Sequence, residues 1–269
     1  MKMKYEIYQV DAFTSHPFAG NPAAVVPLDA WLPDATMLAI AAENNLAETA
    51  FFVGGGGNYE LRWFTPEVEI DLCGHATLAS AHVLYDVLNT ESGVIRFQTK
   101  SGELVVTCKD DLIVLDFPSR PPAETEVPEG LFEALGGKPE KVLKSRDYLA
   151  VFGSQADVAA LKPDFRAISA LDSHAVIATA KGDDADFVSR FFAPSFGVDE
   201  DPVTGSAHCT LIPYWAEQLG KTQLFARQIS KRGGELFCEL DGDRVKIAGR
   251  AVLYLKGEIY VETERSASA

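Results

Sequence analysis

The feature of this sequence that most constrains its fold is an internal repeat. Three short segments recur in the same order about 130 residues later in the chain. The matching segments are Trp63–Pro66 with Phe191–Pro194, Ser80–His82 with Ser206–His208, and Ser101–Leu104 with Gly233–Leu236. The period is far too long for a solenoid, so the repeat predicts two like domains. A single irregular α+β domain with accidental matches is the alternative.

Each repeat contains a segment that is typical of a buried helix. From Ala76 to Val87 the residues are small and apolar, with no charge before Asp86. A helix that is apolar all round must be buried on every side. The repeat predicts a second such helix, beginning near Ser206 and ending near Leu219. The fold class is therefore α+β, with antiparallel strands wrapped around one central helix in each of two pseudo-symmetric lobes.

The chain between these helices divides at a proline-rich segment, Pro118–Glu124, which is the best candidate for a linker. We expect an N-terminal lobe at residues 1–118 and a C-terminal lobe at residues 119–269. Residues 262–269 are predicted to be a frayed tail. Pro213 lies inside the second predicted helix, and we expect it to kink that helix or to end its first segment.

The duplication brings two helix N-termini to a cleft between the lobes. One carries Gly74 and His75, and the other follows Asp201 and begins with Gly205 and Ser206. Free backbone N–H groups at helix N-termini attract anions. The cleft is thus expected to bind a small molecule with a carboxylate.

The composition argues against several other classes of function. The formal net charge is −15, whereas nucleic acids and anionic membranes are bound through basic patches. No apolar run approaches the roughly 18 residues of a membrane span, and Met1–Tyr5 leads directly into a strand pattern without a signal peptide. The four cysteines form no CxxC pair, and no Cys/His group has the spacing of zinc ligands. We expect a soluble, reduced, cytoplasmic protein without a metal.

Four segments together resemble the PhzF-like isomerase family of phenazine biosynthesis. They are Gln9–Val26 with its Gly-Asn-Pro loop, Asn45–Phe51, Asp71–Thr77, and Glu200–Ala207. Their order and spacing span nearly the whole chain. The family is similar in fold to diaminopimelate epimerase, with two lobes that each form a β-barrel around a central helix. The resemblance therefore implies the architecture that the repeat also predicts, and it implies a homodimer.

The resemblance also implies the site residues. Glu48 matches the family's catalytic glutamate, which moves a proton between carbon atoms of the substrate without a metal or an organic cofactor. His75 and Asp201 match residues beside the transferred proton that orient and polarise the substrate. Gly74, Gly205 and Ser206 match positions that hold the polar groups of the substrate. Asn21 matches a substrate-binding position.

The residues alone leave alternatives open. Asp201 before a proline can simply cap a turn, Ser206 can be a plain N-cap, and Asn21 can merely shape its turn. His82 and His208 lie inside the two helices and are interpreted as structural.

The reaction also has alternatives, a racemase or epimerase of an amino acid and an inactive relative that binds a metabolite or a protein. Cys73 stands where a racemase of the related fold has one of two facing thiols, but the turn at Asp201–Gly205 has no cysteine. We therefore interpret Cys73 as a packed residue at the start of the helix. The sequence does not identify the substrate or the pathway.

Overall fold

A computed structural model of the chain describes residues 2–262; most of the predicted tail lies outside this range. Its first part contains eight strands and two α-helices. The strands are β1 (Lys2–Ala12), β2 (Asn21–Leu28), β3 (Glu48–Gly55), β4 (Asn58–Phe64), β5 (Glu69–Ile70), β6 (Val94–Thr99), β7 (Gly102–Lys109) and β8 (Leu112–Pro118). The helices are α1 (Asp34–Asn44) and α2 (Gly74–His82), and α2 continues as a π-helical turn, Val83–Val87.

The second part contains ten strands and four α-helices. The strands are β9 (Ala123–Glu124), β10 (Lys141–Lys144), β11 (Tyr148–Val151), β12 (Val176–Lys181), β13 (Phe187–Ala193), β14 (Val198–Asp201), β15 (Gln223–Gln228), β16 (Gly234–Asp241), β17 (Arg244–Gly249) and β18 (Ala251–Glu262). The helices are α3 (Leu131–Leu135), α4 (Gln155–Ala160), α5 (Phe165–Ser169) and α6 (Gly205–Leu219).

The strand pairings repeat in the same order, which confirms the internal duplication. In the first part, β1–β2, β3–β4, β4–β5, β6–β7 and β7–β8 are antiparallel, whereas β2–β3 and β4–β6 are parallel. In the second part, β10–β11, β12–β13, β13–β14, β15–β16 and β16–β17 are antiparallel, whereas β11–β12 and β13–β15 are parallel. Strands β1 to β8 and β10 to β17 are thus two copies of one arrangement.

The prediction of purely antiparallel strands is wrong for four of these pairs. Parallel neighbours need a crossover connection of about a dozen residues or more. Helix α1 lies in the crossover from β2 to β3, and α4 and α5 lie in the crossover from β11 to β12. The central helices α2 and α6 lie in the other two crossovers. Each central helix is therefore held by strands that precede and follow it directly in the chain.

The two repeats share one continuous hydrogen-bonded sheet. β8 pairs with β17, from Ile113 opposite Gly249 to Pro118 opposite Arg244. The last strand, β18, pairs with β1 along nearly its whole length. β18 therefore returns to the strand with which the first repeat begins.

Both central helices are buried, as predicted. All residues of α2 from His75 to Ala81 are buried, and so are those of α6 from Ala207 to Ala216. Leu78 and Leu211 are fully buried in the main core, where each contributes about 1.5–3 kcal/mol of apolar burial. The small residues of α2 allow the surrounding strands to approach closely.

The ends of these helices differ from the prediction. The first was expected to be α-helical to Val87, but its last turn is π-helical, with the N–H of Leu88 bonded to the carbonyl of Val83. Pro213 does not end α6, which continues to Leu219. A proline leaves the carbonyl four residues earlier without its helical donor. That carbonyl, Cys209 O, accepts a hydrogen bond of 2.9 Å from the backbone N–H of Arg120, which compensates for the loss.

Candidate active site

The N-termini of α2 and α6 meet where the two repeats face each other. A Cβ atom added to Gly74 would lie 3.4 Å from the Cα of Gly205, and one added to Gly205 would lie 3.4 Å from the Cα of Gly74. Neither helix has a side-chain cap. The N–H groups of a first helical turn have no partner within the helix, and the two dipoles add at this point. The junction is therefore suited to negative charge, as the sequence predicted.

Glu48 and His75 contact each other beside this junction. Glu48 begins β3, directly after the turn in which Asn45 adopts a left-handed conformation (φ 50°) and ends α1. Its Oε2 atom lies 3.0 Å from Nε2 of His75, and the two side chains are 14% and 6% exposed. The pair joins a strand of the first repeat to the first turn of α2.

Asn21, the first residue of β2, connects this pair to the second repeat. The side chain is fully buried. Its Nδ2 atom lies 2.8 Å from Oδ1 of Asp201, 2.9 Å from the carbonyl of Val203 and 3.1 Å from Nδ1 of His75. Its Oδ1 atom is also buried and has no hydrogen-bond partner in the part of the chain that the structure describes. Asn21 therefore does more than shape its turn.

These contacts define the neighbours of the two ring nitrogens of His75. The side-chain amide of Asn21 has two hydrogens. The carbonyl oxygen of Val203 can only accept a hydrogen bond, and so can the carboxylate of Asp201 while it is ionised. Asn21 therefore donates to those two oxygens. The remaining neighbour of Nδ1 is the Sγ atom of Cys73, at 3.5 Å. Nε2 of the ring lies 3.0 Å from Oε2 of Glu48, a distance suited to an ion pair when the imidazole is protonated.

The electrostatics agree with a charged His75. Burial lowers its pKa, but Cys73 and Glu48 oppose this effect, and the net result is a pKa well above the usual 6.5. Burial and the charge of Glu48 raise the pKa of Cys73. Negative charge on Cys73 and on Glu48 is thus what favours the protonated form of His75.

Asp201, the last residue of β14, titrates close to neutrality. Burial raises its pKa from 3.8 to about 6, and the charge of Glu48 acts in the same direction. The charge of His75 and hydrogen bonds from Thr204 and Asn21 oppose this rise. Asp201 therefore takes up and releases a proton within the physiological pH range.

The other predicted binding residues lie at the same junction. Gly74 and Gly205 are the first residues of their helices, and Ser206 is half-buried on the first turn of α6. The interpretation of Ser206 as a plain N-cap is wrong, because Thr204 occupies that position. The structure thus brings together every site residue that the sequence predicted.

Sequence reasoning missed two residues that hold the site together, Thr204 and Gln228. The hydroxyl of Thr204 donates a hydrogen bond to Oδ2 of Asp201, and the amide of Gln228 contacts both residues. Thr204 lies inside the segment Glu200–Ala207 and was within reach of the sequence. Gln228 lies on β15, far along the chain, and no local pattern distinguishes it.

The histidines inside the helices are structural, as predicted. Nδ1 of His82 lies 2.7 Å from the carboxylate of Asp86, one turn further along. Nδ1 of His208 lies 2.8 Å from the carbonyl of Thr204, which can only accept, so Nδ1 carries the hydrogen. Burial lowers the pKa of His208 to about 4, and the residue is neutral.

Glu48, Cys73 and His75 place one potential metal ligand each within 4.8 Å of one another. Their sequence spacing did not predict this cluster, because Glu48 comes from a separate strand. The imidazole ring lies between the other two side chains, with Glu48 at Nε2 and Cys73 at Nδ1. The two nitrogens are separated by a single ring carbon, so Glu48 and Cys73 approach neighbouring positions of one imidazole.

Comparison with known proteins identifies relatives along nearly the whole chain. Residues 10–257 match the family PhzC-PhzF, described as phenazine biosynthesis-like protein. A Pseudomonas aeruginosa protein named as an uncharacterized isomerase is 54% identical over 259 residues, which cover 96% of this chain and all of that protein. A crystal structure of a PhzF family protein from Enterococcus faecalis is 50% identical, covers 96% of this chain and 100% of that one, and superposes with a TM-score of 0.94.

More distant structures share the fold. A hydroxyproline epimerase from Agrobacterium vitis, solved with bound trans-4-hydroxy-L-proline, is 12% identical. It covers 97% of this chain and 94% of its own length, with a TM-score of 0.60. The predicted relation to epimerase folds is therefore confirmed at the level of the fold.

Proposed function

Because the chain belongs to the PhzC-PhzF family of phenazine biosynthesis-like proteins, we propose that it is an isomerase that moves a proton between two carbon atoms of a small carboxylate-bearing metabolite. The reaction uses no cofactor and takes place between the two repeats. The observation that carries the proposal is the contact of 3.0 Å between Glu48 and His75 at the junction of two helix N-termini.

Glu48 is the proposed acid–base group. Its carboxylate removes a proton from one carbon of the substrate, and the resulting carboxylic acid returns that proton to another carbon. The product then has the same atoms as the substrate, and Glu48 is again ionised. A positioned group of this kind is worth about 10²–10⁴ in rate.

His75 and Asp201 orient and polarise the substrate in this scheme. Removing a proton from carbon leaves negative charge on the substrate, which a nearby imidazolium and two helix N-termini stabilise. Asp201, with a pKa of about 6, can donate a hydrogen bond to the developing charge in its protonated form.

The substrate class follows from the groups that surround the junction. Backbone N–H groups at Gly74, Gly205 and Ser206 are suited to a carboxylate. Among residues 2–262 the buried Oδ1 atom of Asn21 has no hydrogen-bond partner, so we assign it to an N–H or O–H donor on the substrate. A small metabolite with a carboxylate and an N–H or O–H donor would bind both the backbone N–H groups and Oδ1 of Asn21.

The racemase alternative receives no support from the cysteines. A two-thiol mechanism needs one thiol at each helix N-terminus. Cys73 is at the N-cap of α2, but Thr204 is at the N-cap of α6. Cys209 lies a turn further along, and burial raises the pKa of its thiol to about 11.

Further predictions from the sequence are part of the proposal. Each repeat, with a boundary near residue 118, would close its strands into a barrel around α2 or α6. The active protein would be a cytoplasmic homodimer without nucleic-acid or membrane partners. Within residues 2–262, no helix has the length and apolar character to cross a membrane.

A ligand screen followed by exchange in D₂O tests the proposed function. Small carboxylates that raise the melting temperature are incubated with the protein in D₂O, and both substrate and product are analysed by NMR and mass spectrometry. We expect a constitutional isomer with a relocated C–H bond, with deuterium at the new position where the Glu48 proton exchanges before its return. Inversion at a single carbon would instead favour an epimerase, and binding without any product would favour a metabolite-binding protein.

A further inference from the structure

The hydroxyl of Thr204 makes an unusual hydrogen bond at the start of α6. A threonine at an N-cap ordinarily accepts a hydrogen bond from an N–H of the first helical turn. Thr204 makes no such bond. Its hydroxyl instead points back along the chain and donates to Oδ2 of Asp201. The side chain of Thr204 therefore donates to the carboxylate of Asp201 and does not cap the helix.

Gln228 fixes the direction of this hydroxyl. Its Oε1 atom accepts the backbone N–H of Thr204 at 2.9 Å, and its Nε2 atom donates to the carbonyl of Asp201 at 2.7 Å. The first partner can only donate and the second can only accept, so the orientation of the amide is determined. Nε2 also donates to Oγ1 of Thr204 at 3.1 Å. Because that oxygen accepts from Gln228, its single hydrogen remains for Asp201.

Both oxygens of the Asp201 carboxylate thus have fixed donors. Thr204 donates to Oδ2, and Asn21 donates to Oδ1. The other ionisable groups that act on Asp201 are Glu48 of β3 and His75 of α2. The carboxylate is therefore held between the two repeats, and the second repeat holds it through Thr204.

The side chain of Gln228 is buried, and its hydrogen bonds indicate its role. The residue ends β15 and is 1% exposed, and burying an amide costs free energy unless its hydrogen bonds are made. Every hydrogen bond of its side chain goes to Asp201 or Thr204. On β6, which corresponds to β15 in the first repeat, Thr99 occupies the position of Gln228: Thr99 pairs with Gly102, and Gln228 pairs with Gly234. The buried amide is thus particular to the repeat that carries Asp201.

We propose that Gln228 is a positioning residue, which acts through the hydroxyl of Thr204 to fix the carboxylate of Asp201 in the active site. The inference rests on the proposed function for its catalytic consequence, but the arrangement itself can be measured without a substrate. Thr204 is the intermediate group, and Gln228 does not contact the reacting atoms.

The test is a titration of Asp201 in protein labelled with ¹³C at aspartate carboxyl groups, followed by NMR. Thr204→Val removes the donor to the carboxylate and retains both hydrogen bonds between Gln228 and the backbone. Gln228→Leu removes the group that directs the donor. We expect each variant to raise the pKa of Asp201 by about one unit, since a hydrogen bond to a charged group favours the ionised form. Thr204→Ser should restore the wild-type value, and the control Gln98→Leu, at an exposed glutamine on β6, should leave it unchanged.

Kinetics with a substrate found in D₂O provide the second readout. We expect Thr204→Val and Gln228→Leu each to lower kcat about tenfold, with KM within about twofold of the wild type. Because both act through one hydroxyl, the double variant should lose little more activity than either single variant. If Thr204 and Gln228 had only a structural role, the losses of activity from the two substitutions would add in the double variant, and the pKa of Asp201 would not change.

The outcomes separate this inference from the proposed function. If folded Gln228→Leu keeps the pKa of Asp201 within about 0.2 units of the wild type, the inference is wrong, whatever the enzyme does. If Gln228→Leu does not fold, Thr204→Val and Thr204→Ser decide by the same criterion. If the variants raise the pKa of Asp201 but the wild-type protein turns over no substrate, the positioning role of Gln228 is supported and only the proposed function is contradicted.

Discussion

Asp201→Asn should make the protein more stable at pH 8, although it removes a group from the proposed active site. The carboxylate has a pKa of about 6 in the folded protein, against 3.8 when it is exposed. Between these values the folded state binds more protons than the unfolded state, so the free energy of unfolding falls as the pH rises. The shift of about 2.2 units corresponds to about 3 kcal/mol above pH 6.

The substitution retains the hydrogen bond from Asn21 and reverses the one from Thr204, whose hydroxyl hydrogen then loses its acceptor. An asparagine at this position can accept from Asn21 with its oxygen, and its amide can donate to the hydroxyl oxygen of Thr204. The electrostatic gain is about 3 kcal/mol at pH 8 and about 0.5 kcal/mol at pH 4. The lost hydrogen bond of Thr204 costs about 1 kcal/mol at both pH values, so the difference of about 2.5 kcal/mol between them remains.

Urea unfolding at several pH values, followed by circular dichroism, measures the difference between the two proteins. Asp199→Asn is the matched control, since Asp199 is exposed on the same strand, and its effect should be small at every pH. The reasoning is refuted if Asp201→Asn is less stable than the wild type at pH 8. It is also refuted if the difference does not change with pH.

Three further predictions concern other parts of the molecule. Cys73→Ala should retain kcat within about threefold, as should the exposed control Cys108→Ala, whereas loss of activity only in Cys73→Ala would revive a thiol mechanism. Arg190→Met should lower the free energy of unfolding by about 3–5 kcal/mol, because it leaves the partly buried Glu200 unpaired and removes a donor to two carbonyls. The control Arg244→Met, at an exposed ion pair, should lower it by less than about 1 kcal/mol. An equally small effect of Arg190→Met would contradict the prediction. Sedimentation equilibrium should give twice the chain mass of 29.2 kDa, and a monomer at micromolar concentration would exclude the proposed homodimer.

The sequence predicted the parts of the site that depend on short motifs. Gly74 and Gly205 mark helix starts, and the repeat placed those starts opposite each other before any contact was known. The apolar run after His75 predicted a buried helix, because its composition allows no exposed face. Glu48 was found by resemblance alone, since a glutamate before a strand has no distinctive local pattern.

Features that depend on distant contacts were not predictable in the same way. The partner of the carbonyl that Pro213 leaves free is the backbone of Arg120, and no sequence pattern specifies it. The parallel pairing of β4 with β6 depends on how the intervening chain crosses the sheet. Gln228 contributes through hydrogen bonds to residues about 25 positions earlier, and its role is visible only in the folded chain.

The most direct test of the proposed mechanism compares the wild type with Glu48→Gln in D₂O, using a substrate found by the screen. The amide retains the shape of the side chain but cannot accept a proton from carbon. We expect the wild type to form the isomer, while Glu48→Gln binds the same ligand with a Kd within about threefold and forms neither product nor a C–D bond. Product formation by Glu48→Gln at the wild-type rate would show that the proton moves by another route, and the proposed mechanism would be wrong.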